Sequence, residues 1–385
     1  MRKTIAVVFG TRPDTIKLAP LILELRKQRK CFRVITIATA QHRQMLDQVL
    51  DVFRITPDRD LNIMQPRQTL ASITRSSIAK LDRVFAHTRP DLVLVQGDTT
   101  TTFVGSLAAF YRDIPVGHVE AGLRTNNKFH PFPEEINRRL TSCLADLHFA
   151  PTQAAKNALL RERCDPKSIF LTGNTVIDAL KMSVRKTHRF SKPLLNSLAT
   201  KGNRKLLITM HRRENWGDPM RNATRAIKRI ALQYQDCDII FPVHLNPQVR
   251  QAVYAILSGV RNVHLVEPLN YLDFVNLMAI SHLIISDSGG IQEEGPSLGK
   301  PVLVLREVTE RPEAVAHGTA KLVGLSEERI VRETVRLMSD SHAYRVMATA
   351  TNPYGDGLAS RRIVSVVKKY FGFTRTMMKE FRPRD

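Results

Sequence analysis

The chain has 385 residues, of which 43% are hydrophobic, and this length exceeds one ordinary domain core and suits two domains. No segment approaches the roughly 20 consecutive apolar residues of a membrane span, and the opening MRKTIAVVFGTR predicts a first strand instead of a signal peptide. The four cysteines lack metal-site spacing, so we expect reduced thiols in a cytoplasmic protein with no metal bound.

The charge balance is strongly basic, with 58 Lys and Arg against 36 Asp and Glu and a formal net charge of +22. Such an excess suits nucleic acid, an acidic membrane surface or anionic substrates. Basic residues are scattered and aromatic residues make up only 6% of the chain, which argues against a specific nucleic-acid module. The segment 361–385 carries eight basic and two acidic residues. We interpret it as a solvated helix face, with weak attraction to a membrane surface as the alternative.

Apolar runs alternate with helix-period segments along the first half of the chain. Continuous apolar strands separated by helices predict buried parallel sheets in a doubly wound α/β fold. The predicted strands are 4–9, 33–38, 92–96, 116–119, 147–150 and 169–171, and the predicted helices are 13–27, 70–87, 101–111 and 134–145.

The alternation weakens in the polar stretch 189–204 and then restarts. The second half therefore predicts another α/β domain of the same kind. The boundary lies either in that polar stretch or earlier, near 172–175, with a helix from Val176 bridging the halves. The predicted strands of the second half are 206–209, 239–242, 263–266, 283–286 and 302–305.

The segment 286–294, SDSGGIQEE, lies between a predicted strand and a predicted helix. Gly289 and Gly290 let the backbone approach a phosphate, and the start of a helix favours an anion. A pure phosphate site would not favour the adjacent carboxylates of Glu293 and Glu294. They indicate that a hydroxyl-bearing group such as a ribose lies beside the phosphate.

Two cofactor signatures are incomplete. The turn Gly10-Thr11-Arg12-Pro13 follows the first strand without the GxGxxG pattern, so a nicotinamide or flavin cofactor is not expected. The segment 295–301, GPSLGKP, is one residue short of a phosphate-binding P-loop and has proline in place of the magnesium-binding Ser or Thr. We therefore predict an enzyme that needs no cofactor.

Three carboxylates follow predicted strands or open a predicted helix of the first half, namely Asp98, Glu120 and Glu134. Each has a structural explanation: Asp98 suits a helix N-cap equally well, and Glu134 suits the first turn of a helix. In open α/β sheets, however, ligands bind at the carboxyl ends of the strands. Acids gathered there raise each other's proton affinity, which predicts general acid and base work.

Cationic groups follow strands in both halves. Arg12 and Lys17 come after the first strand, where both can reach a phosphate, and Arg311 follows a late strand. His211 lies beside two arginines, which suits a phosphate contact or a proton donor to a leaving group. Anion sites in both halves predict a nucleotide bound in a cleft between them.

These motifs together resemble the bacterial non-hydrolysing UDP-N-acetylglucosamine 2-epimerases. They extend from residue 10 to residue 357 and so cover nearly the whole chain. The blocks that carry the resemblance are GTRPDTIKLAP, AQHRQMLDQVL, GDTTTT, VGHVEAGLRT, PFPEEINR, GNTVIDAL, HRREN, PVHLNP, SDSGGIQEEGPSLGKPVLVLREVTERPEAV and NPYGDG.

The resemblance implies two Rossmann-like domains with an interdomain cleft, as in the B-type nucleotide-sugar glycosyltransferases. It implies a first domain of residues 1–173 joined by a helix at 364–385, and a UDP-binding domain of residues 174–363. It also implies conversion of UDP-N-acetylglucosamine to UDP-N-acetylmannosamine by elimination of UDP to 2-acetamidoglucal and re-addition, which supplies units for bacterial surface polysaccharide.

The resemblance also implies roles for individual residues. Asp98, Glu120 and Glu134 match the acid and base carboxylates, and His211 matches the histidine that assists departure of the diphosphate. Glu294 matches the carboxylate that binds the ribose. The remaining nucleotide-site positions are matched by Arg12, Lys17, Phe274, Ser288, Gly289, Gly290 and Arg311.

A second UDP-N-acetylglucosamine molecule is implied as an activator, and the likeness further implies a homodimer. The positions that match the activator site are Gln41, His42, Gln44, Arg67 and His244.

Three alternatives remain open from the sequence. A hydrolysing epimerase would release UDP and N-acetylmannosamine, and a glycosyltransferase could share the same fold because fold alone does not determine the reaction. A nucleic-acid-binding protein would rest only on the net charge.

Overall fold

The computed structural model describes residues 1–39, 43–65 and 68–383, without the side chains of residues 43–45. The chain forms two compact units. The first unit comprises Met1–Met182 together with Tyr354–Arg382, and the second comprises Ser183–Pro353. Each unit is an α/β layer structure built on one parallel sheet.

The first unit contains a seven-stranded sheet in the order β3-β2-β1-β4-β5-β6-β7. All neighbouring strands run parallel. Its central strand, with the sequence LVLVQ, is buried at every position, as expected where helices cover both faces of a sheet. The strands are β1 (Lys3–Phe9), β2 (Phe32–Ala38), β3 (Arg59–Asp60), β4 (Leu92–Gln96), β5 (Val116–Val119), β6 (Leu147–Ala150) and β7 (Ile169–Leu171).

The helices of the first unit alternate with these strands, and one further helix comes from the C-terminal segment Tyr354–Arg382, which belongs to the same unit. They are α1 (Arg12–Lys27), α2 (Arg43–Phe53), α3 (Leu70–Thr88), α4 (Thr100–Phe110), α5 (Glu134–Leu144), α6 (Gln153–Arg161), α7 (Thr175–Ser183) and α16 (Ala359–Tyr370), with a short 3₁₀ turn at Pro166–Ser168.

The second unit contains a six-stranded parallel sheet in the order β10-β9-β8-β11-β12-β13. Its strands are β8 (Lys205–Thr209), β9 (Asp238–Pro242), β10 (Val263–Val266), β11 (Leu283–Ser286), β12 (Val302–Val304) and β13 (Ala320–Leu322). Its helices are α8 (Pro193–Thr200), α9 (Asp218–Gln233), α10 (Pro247–Leu257), α11 (Tyr271–Ile280), α12 (Ile291–Ser297), α13 (Pro312–Ala316), α14 (Glu327–Ser339) and α15 (Ser341–Thr349), with a 3₁₀ turn at Arg213–Asn215.

Both sheets reverse their strand order at an equivalent place. The chain moves outward in one direction from β1 through β2, and then returns to β4 on the other side of β1. The second unit repeats this step at β8 and β11. Such a reversal opens a crevice at the carboxyl ends of the strands, where ligands of open α/β sheets bind.

The predicted α/β fold class is confirmed, and the predicted strands and helices are all present. Two short strands were not predicted, Arg59–Asp60 and Ala320–Leu322. The first consists of two exposed charged residues, and the second carries a lysine at its centre, so neither has the apolar run that identifies a buried strand. Among the described residues, no helix is long and apolar enough to cross a membrane.

Candidate active site

Glu120 is a carboxylate of the first unit with hydrogen bonds from three different side chains. It follows β5 and is only 7% exposed. Lys17 Nζ lies 2.6 Å and 2.7 Å from its two oxygens, and Asn174 Nδ2 donates to Oε1 at 2.8 Å. Gln96 Nε2 also donates to Oε2. A buried carboxylate is costly unless it is paired and hydrogen-bonded, and here a cation and two amides stabilise its ionised form.

The backbone of Glu120 adopts a left-handed conformation, with φ at +63°. This region is uncommon for residues other than glycine, asparagine and aspartate. Conformations of this kind cost about 1–3 kcal/mol and cluster at functional sites. The turn after β5 therefore points the carboxylate toward Lys17 and Gln96 at the expense of local backbone stability.

Asp98 lies in the turn between β4 and α4. Thr99, and not Asp98, is the N-cap of α4, because the Thr99 hydroxyl accepts the backbone N–H of Thr102 at 3.3 Å. The capping explanation for Asp98 is thus wrong. The carboxylate of Asp98 accepts a hydrogen bond from Arg138 Nη2, and Asn137 Nδ2 donates to the Asp98 carbonyl at 2.9 Å. Helix α5 therefore orients this turn.

Glu134 is the first residue of α5, and its neighbour Glu135 performs the local structural work. Glu135 is fully buried and accepts the backbone N–H groups of Thr125 and Asn126 at 3.0 Å and 3.2 Å. Its carboxylate also lies 3.3 Å from Arg138 Nη1. Glu135 thus orders the loop before α5 and the arginine that holds Asp98, while Glu134 is only partly buried.

Arg12 and Lys17 both lie on α1. The start of this helix is held by the buried Asp14, which accepts the backbone N–H of Gly10 at 3.0 Å. A side chain at Gly10 would place Cβ 2.2 Å from Thr39 Oγ1 and 2.4 Å from Thr101 Oγ1. Glycine is therefore required here by close packing, which brings the first turn of α1, with Arg12, against the carboxyl ends of the strands.

His118, on β5, supports the turn that carries Asp98. It is fully buried, and burial lowers its pKa to about 3, so the ring is neutral near pH 7. Its Nε2 lies 2.8 Å from the Gly97 carbonyl oxygen. A carbonyl only accepts hydrogen bonds, so the neutral ring carries its proton on Nε2.

In the second unit, the SDSGG segment joins β11 to α12 as predicted. The backbone N–H of Ser288 donates to Ser286 Oγ at 3.0 Å. A side-chain carbon at Gly289 would come 3.7 Å from Arg212 Nη2, and one at Gly290 would come 3.6 Å from Glu294 Oε2. The two glycines thus lie between a guanidinium and a carboxylate, an arrangement that suits a phosphate beside a hydroxyl-bearing group.

His211 is oriented by Asp287, a residue of the same SDSGG segment that is completely buried. His211 Nδ1 lies 2.9 Å from Asp287 Oδ1. Asp287 Oδ2 accepts the backbone N–H groups of His211 and Arg212, each at 2.9 Å, and Asn215 Nδ2 at 3.0 Å. Burial raises the pKa of Asp287, but these donors and His211 outweigh it and hold the pKa below its usual value. The carboxylate is therefore ionised and fixes the imidazole by its Nδ1 side.

Three further predicted residues of the second unit lie on or next to its helices. Arg311 precedes α13, and its Nε donates to the buried carboxylate of Glu293. Glu294 is half-buried in the first turn of α12, and Phe274 is half-buried on α11. Of the two acids singled out in SDSGGIQEE, Glu293 pairs with an arginine, while Glu294 faces Gly290.

The positions matched to an activator site are largely outside the described part of the chain. Gln41, His42 and Arg67 lie outside the described residues, as does the side chain of Gln44. His244 follows β9, and its ring centroid is 6.1 Å from that of His211. Burial and then the nearby His211 lower the pKa of His244.

Comparison with known proteins identifies the family. The family model described as UDP-N-acetylglucosamine 2-epimerase matches residues 24–368, which is most of the chain. The chain belongs to the UDP-N-acetylglucosamine 2-epimerase family. The resemblance inferred from the motifs is thereby confirmed at the level of the family.

Individual members of this epimerase family match over nearly their full length. The UDP-N-acetylglucosamine 2-epimerase of Bacillus subtilis (strain 168) is 55% identical over 377 residues, which cover 98% of each chain. The crystal structure of UDP-GlcNAc 2-epimerase from Neisseria meningitidis bound to UDP-GlcNAc is 51% identical, with a TM-score of 0.86, and covers 95% of this chain and 100% of that one. The S. aureus MnaA-UDP co-structure is 47% identical, with a TM-score of 0.89 and coverage of 99% and 100%.

Several residues that shape this candidate site were not predicted from the sequence. Gln96 and Asn174 bind Glu120, Arg138 binds Asp98, and Asp287 binds His211. Only Asp287 had a sequence signal, because it is an acid directly after the apolar strand β11. The others lie far along the chain from their partners, and no local pattern connects them.

Proposed function

We propose that this chain interconverts UDP-N-acetylglucosamine and UDP-N-acetylmannosamine without net hydrolysis. The observation that carries the proposal is the clamped carboxylate of Glu120, which lies where β5 ends in a sheet whose neighbouring turn holds Asp98. Family membership supports the substrate, as does the UDP-GlcNAc bound in the Neisseria meningitidis structure.

The proposed reaction proceeds by elimination and re-addition. A carboxylate removes the proton from carbon 2 while the bond between carbon 1 and the diphosphate oxygen breaks, which leaves 2-acetamidoglucal and UDP. A proton then returns to carbon 2 from the opposite face, and the diphosphate oxygen attacks carbon 1. No water is consumed, and the positioned acid and base contribute about 10²–10⁴ in rate.

The residues divide into those that act on the sugar and those that hold UDP. Asp98, Glu120 and Glu134 are the proposed acid and base set, and the ionised state favoured at Glu120 by Lys17 suits a base. His211, fixed through Asp287, would donate to the departing diphosphate. The proposed UDP contacts are Arg12, Lys17, Phe274, Ser288, Gly289, Gly290, Glu294 and Arg311.

The ribose role of Glu294 is supported by its place beside Gly290. A ribose provides two adjacent hydroxyl donors, and a carboxylate offers acceptors only. Arg212 lies on the other side of the glycine pair, near Gly289. A UDP molecule could therefore place its diphosphate beside the Arg212 guanidinium and donate hydrogen bonds from its ribose hydroxyls to the Glu294 carboxylate.

The decisive experiment is incubation with UDP-N-acetylglucosamine in heavy water, read out by NMR. We expect deuterium at carbon 2 of both epimers and no accumulation of free UDP. Stoichiometric release of UDP and N-acetylmannosamine would instead establish the hydrolysing reaction. Sugar transfer that depends on an added acceptor would establish a glycosyltransferase.

Activation by a second UDP-N-acetylglucosamine, a homodimeric state, a cytoplasmic location and a role in surface polysaccharide synthesis belong to the same proposal. Activation is tested by initial rates from pure UDP-N-acetylmannosamine, which should show a lag that added UDP-N-acetylglucosamine abolishes. A rate that is linear from the start and insensitive to the added sugar nucleotide would exclude activation. Light scattering after gel filtration tests the dimer.

A further inference from the structure

The segment that follows α16 is held against the first unit at both ends. The ring of Phe373 packs edge-on against Phe32, with centroids 5.7 Å apart. At the other end, Phe381 is 3% exposed, and its backbone N–H donates to the Leu171 carbonyl at 2.9 Å. Between these points the Met378 N–H donates to Ser365 Oγ at 2.8 Å. The path of this segment is thus set by packing and hydrogen bonds.

Between the two anchors the segment presents apolar side chains to solvent. Met377 and Met378 are 38% and 41% exposed, and Tyr370 at the end of α16 is 44% exposed. Exposed cationic side chains lie near these three residues along the chain, and two of them, Lys369 and Lys379, line the same cavity. We call this set the basic methionine surface, and it consists of Lys369, Tyr370, Arg375, Met377, Met378 and Lys379.

The acidic groups near this surface do not neutralise it. Glu380 is paired with Lys156, whose Nζ lies 2.8 Å from its carboxylate. Asp146 and Asp165 line a cavity of about 710 Å³ beneath the segment, together with Tyr370 and both methionines. Arg361 and Lys368 line the hollow on the other side of the methionines. Within the described residues 369–383, exposed cations therefore outnumber acids, with Lys369, Arg375, Lys379 and Arg382 against Glu380 alone.

The combination of apolar tips and surrounding cations indicates the kind of partner. Unbranched methionine side chains adapt to irregular apolar surroundings, and a tyrosine ring suits the boundary between water and an apolar phase. Lysine and arginine side chains can extend their charges toward lipid phosphates while their stems stay near apolar groups. Anionic lipid surfaces attract such clusters strongly.

We propose that the basic methionine surface docks this protein on the surface of an anionic lipid bilayer. Met377, Met378 and Tyr370 would enter the headgroup region, and the surrounding cations would contact lipid phosphates. Nucleic acid is the less favoured partner, because single-strand binding depends on several stacking aromatic rings along a basic groove, and this surface has one tyrosine. The proposal is independent of the epimerase reaction, since none of these six residues is assigned to it.

The test uses the full-length protein and sedimentation with vesicles of two compositions. Vesicles of phosphatidylcholine alone are compared with vesicles of phosphatidylcholine and phosphatidylglycerol, at low and at physiological ionic strength. We expect binding to the anionic vesicles that is at least about tenfold stronger than to the neutral ones and that weakens as salt is added.

Two double variants distinguish the contribution of the basic methionine surface from that of the overall net charge. Lys369→Glu with Lys379→Glu should reduce binding to anionic vesicles about tenfold or more, because two attractive contacts become repulsive. The matched control is Lys186→Glu with Lys228→Glu, which makes the same change in net charge at exposed positions of the second unit. The control should lose far less binding. Equal loss in both pairs would overturn the proposal in favour of a net-charge effect.

A third variant tests the apolar contribution. Met377→Ser with Met378→Ser keeps every charge and should weaken binding to anionic vesicles several-fold, while leaving retention on heparin unchanged. Methionine substitutions without effect on vesicles, together with tight binding to DNA, would overturn the proposal in favour of a general polyanion site. Self-association that these variants abolish would assign the surface to a second copy of the chain. Circular dichroism melting curves verify that each variant is folded.

Discussion

The carboxyl ends of the two sheets have the same topology and opposite chemistry. In the first unit the turns after β4 and β5 present the carboxylates of Asp98 and Glu120, each held by a cation from a helix. In the second unit the turn after β8 presents His211, held by the buried carboxylate of Asp287. In the first unit each acid is therefore paired with a cation, whereas in the second unit an exposed imidazole is paired with a buried acid.

This difference between the strand ends of the two units suits the two parts of a nucleotide sugar. Carboxylates can exchange protons with a sugar carbon, and here each is paired with a lysine or an arginine. In the second unit, His211 and Arg212 suit a diphosphate, and the buried carboxylate of Asp287 fixes their orientation. Two units with one strand order can thus carry different chemistry, because the residues at the strand ends decide it.

The largest expected effect comes from removing a carboxylate of the first unit. Glu120→Gln keeps the size of the side chain and should lower kcat by about 10²–10⁴, with little change in the affinity for UDP. Calorimetric titration with UDP and a turnover assay measure the two quantities. Glu135→Gln is an instructive comparison, because Glu135 orders the loop and its loss should reduce stability as well as rate. A nearly normal rate in Glu120→Gln would remove this residue from the catalytic set.

A smaller effect is expected when Asp287, the acid paired with His211, is changed. Asp287→Asn retains the shape but weakens the charge-assisted bonds from His211, Arg212 and Asn215, so we expect a loss of about 1.5–3 kcal/mol in the free energy of unfolding. Turnover should fall by about one to two powers of ten, because the imidazole loses its fixed orientation. Denaturant unfolding and steady-state kinetics measure both effects. Normal kinetics with reduced stability would limit Asp287 to a structural role.

The ribose contact should produce an effect on binding alone. Glu294→Gln should weaken UDP binding about tenfold or somewhat more, as expected for one hydrogen bond to a charged group. The control ligand is 2′,3′-dideoxy-UDP, which lacks the hydroxyls that Glu294 would accept. Wild type and variant should bind this control equally well. If the variant loses the same affinity for both ligands, Glu294 does not contact the ribose.

The smallest effect concerns acid stability in the first unit. The pKa of His118 is about 3 in the folded protein, below the roughly 6.5 of an unfolded chain. Above pH 6.5 the ring is neutral in both states and contributes no pH dependence. As the pH falls below 6.5, the unfolded state binds a proton that the folded state does not, so stability decreases by about 1.4 kcal/mol per pH unit. His118→Gln should lack this part of the slope in urea unfolding at pH 7 and pH 5. Equal slopes in the two proteins would contradict the buried neutral state.

Sequence reasoning predicted the elements well because their signals are local. The run from Leu92 to Gln96 is apolar throughout and bounded by turn residues, so its burial and extended form follow from a few adjacent side chains. The turn after β11 was also predicted as an anion site from local sequence, because two glycines between a strand and a helix are typical of phosphate-binding turns. The same reasoning assigned Asp98 an N-cap role as one of two options, and the neighbouring Thr99 proved to be the cap.

The bonding of the site residues was beyond local reasoning. Lys17 was predicted to contact a phosphate, and its bond to Glu120, 103 residues away, had no local signal. Asn174, which follows β7, donates to the same carboxylate although it lies 54 residues from Glu120 in the sequence. The left-handed backbone of Glu120 also has no sequence signal, since glutamate does not favour it.

By itself, the amino-acid sequence determined the two parallel sheets, the turns that carry the candidate site residues and the membership in the epimerase family, because periodicity and short motifs act over neighbouring residues. Only the tertiary structure decided which charged groups pair: Lys17 with Glu120, Arg138 with Asp98 and Asp287 with His211. The physical reason is that burial makes each of these charges costly without a partner, and the partner is supplied by whichever distant segment the fold brings within hydrogen-bonding distance.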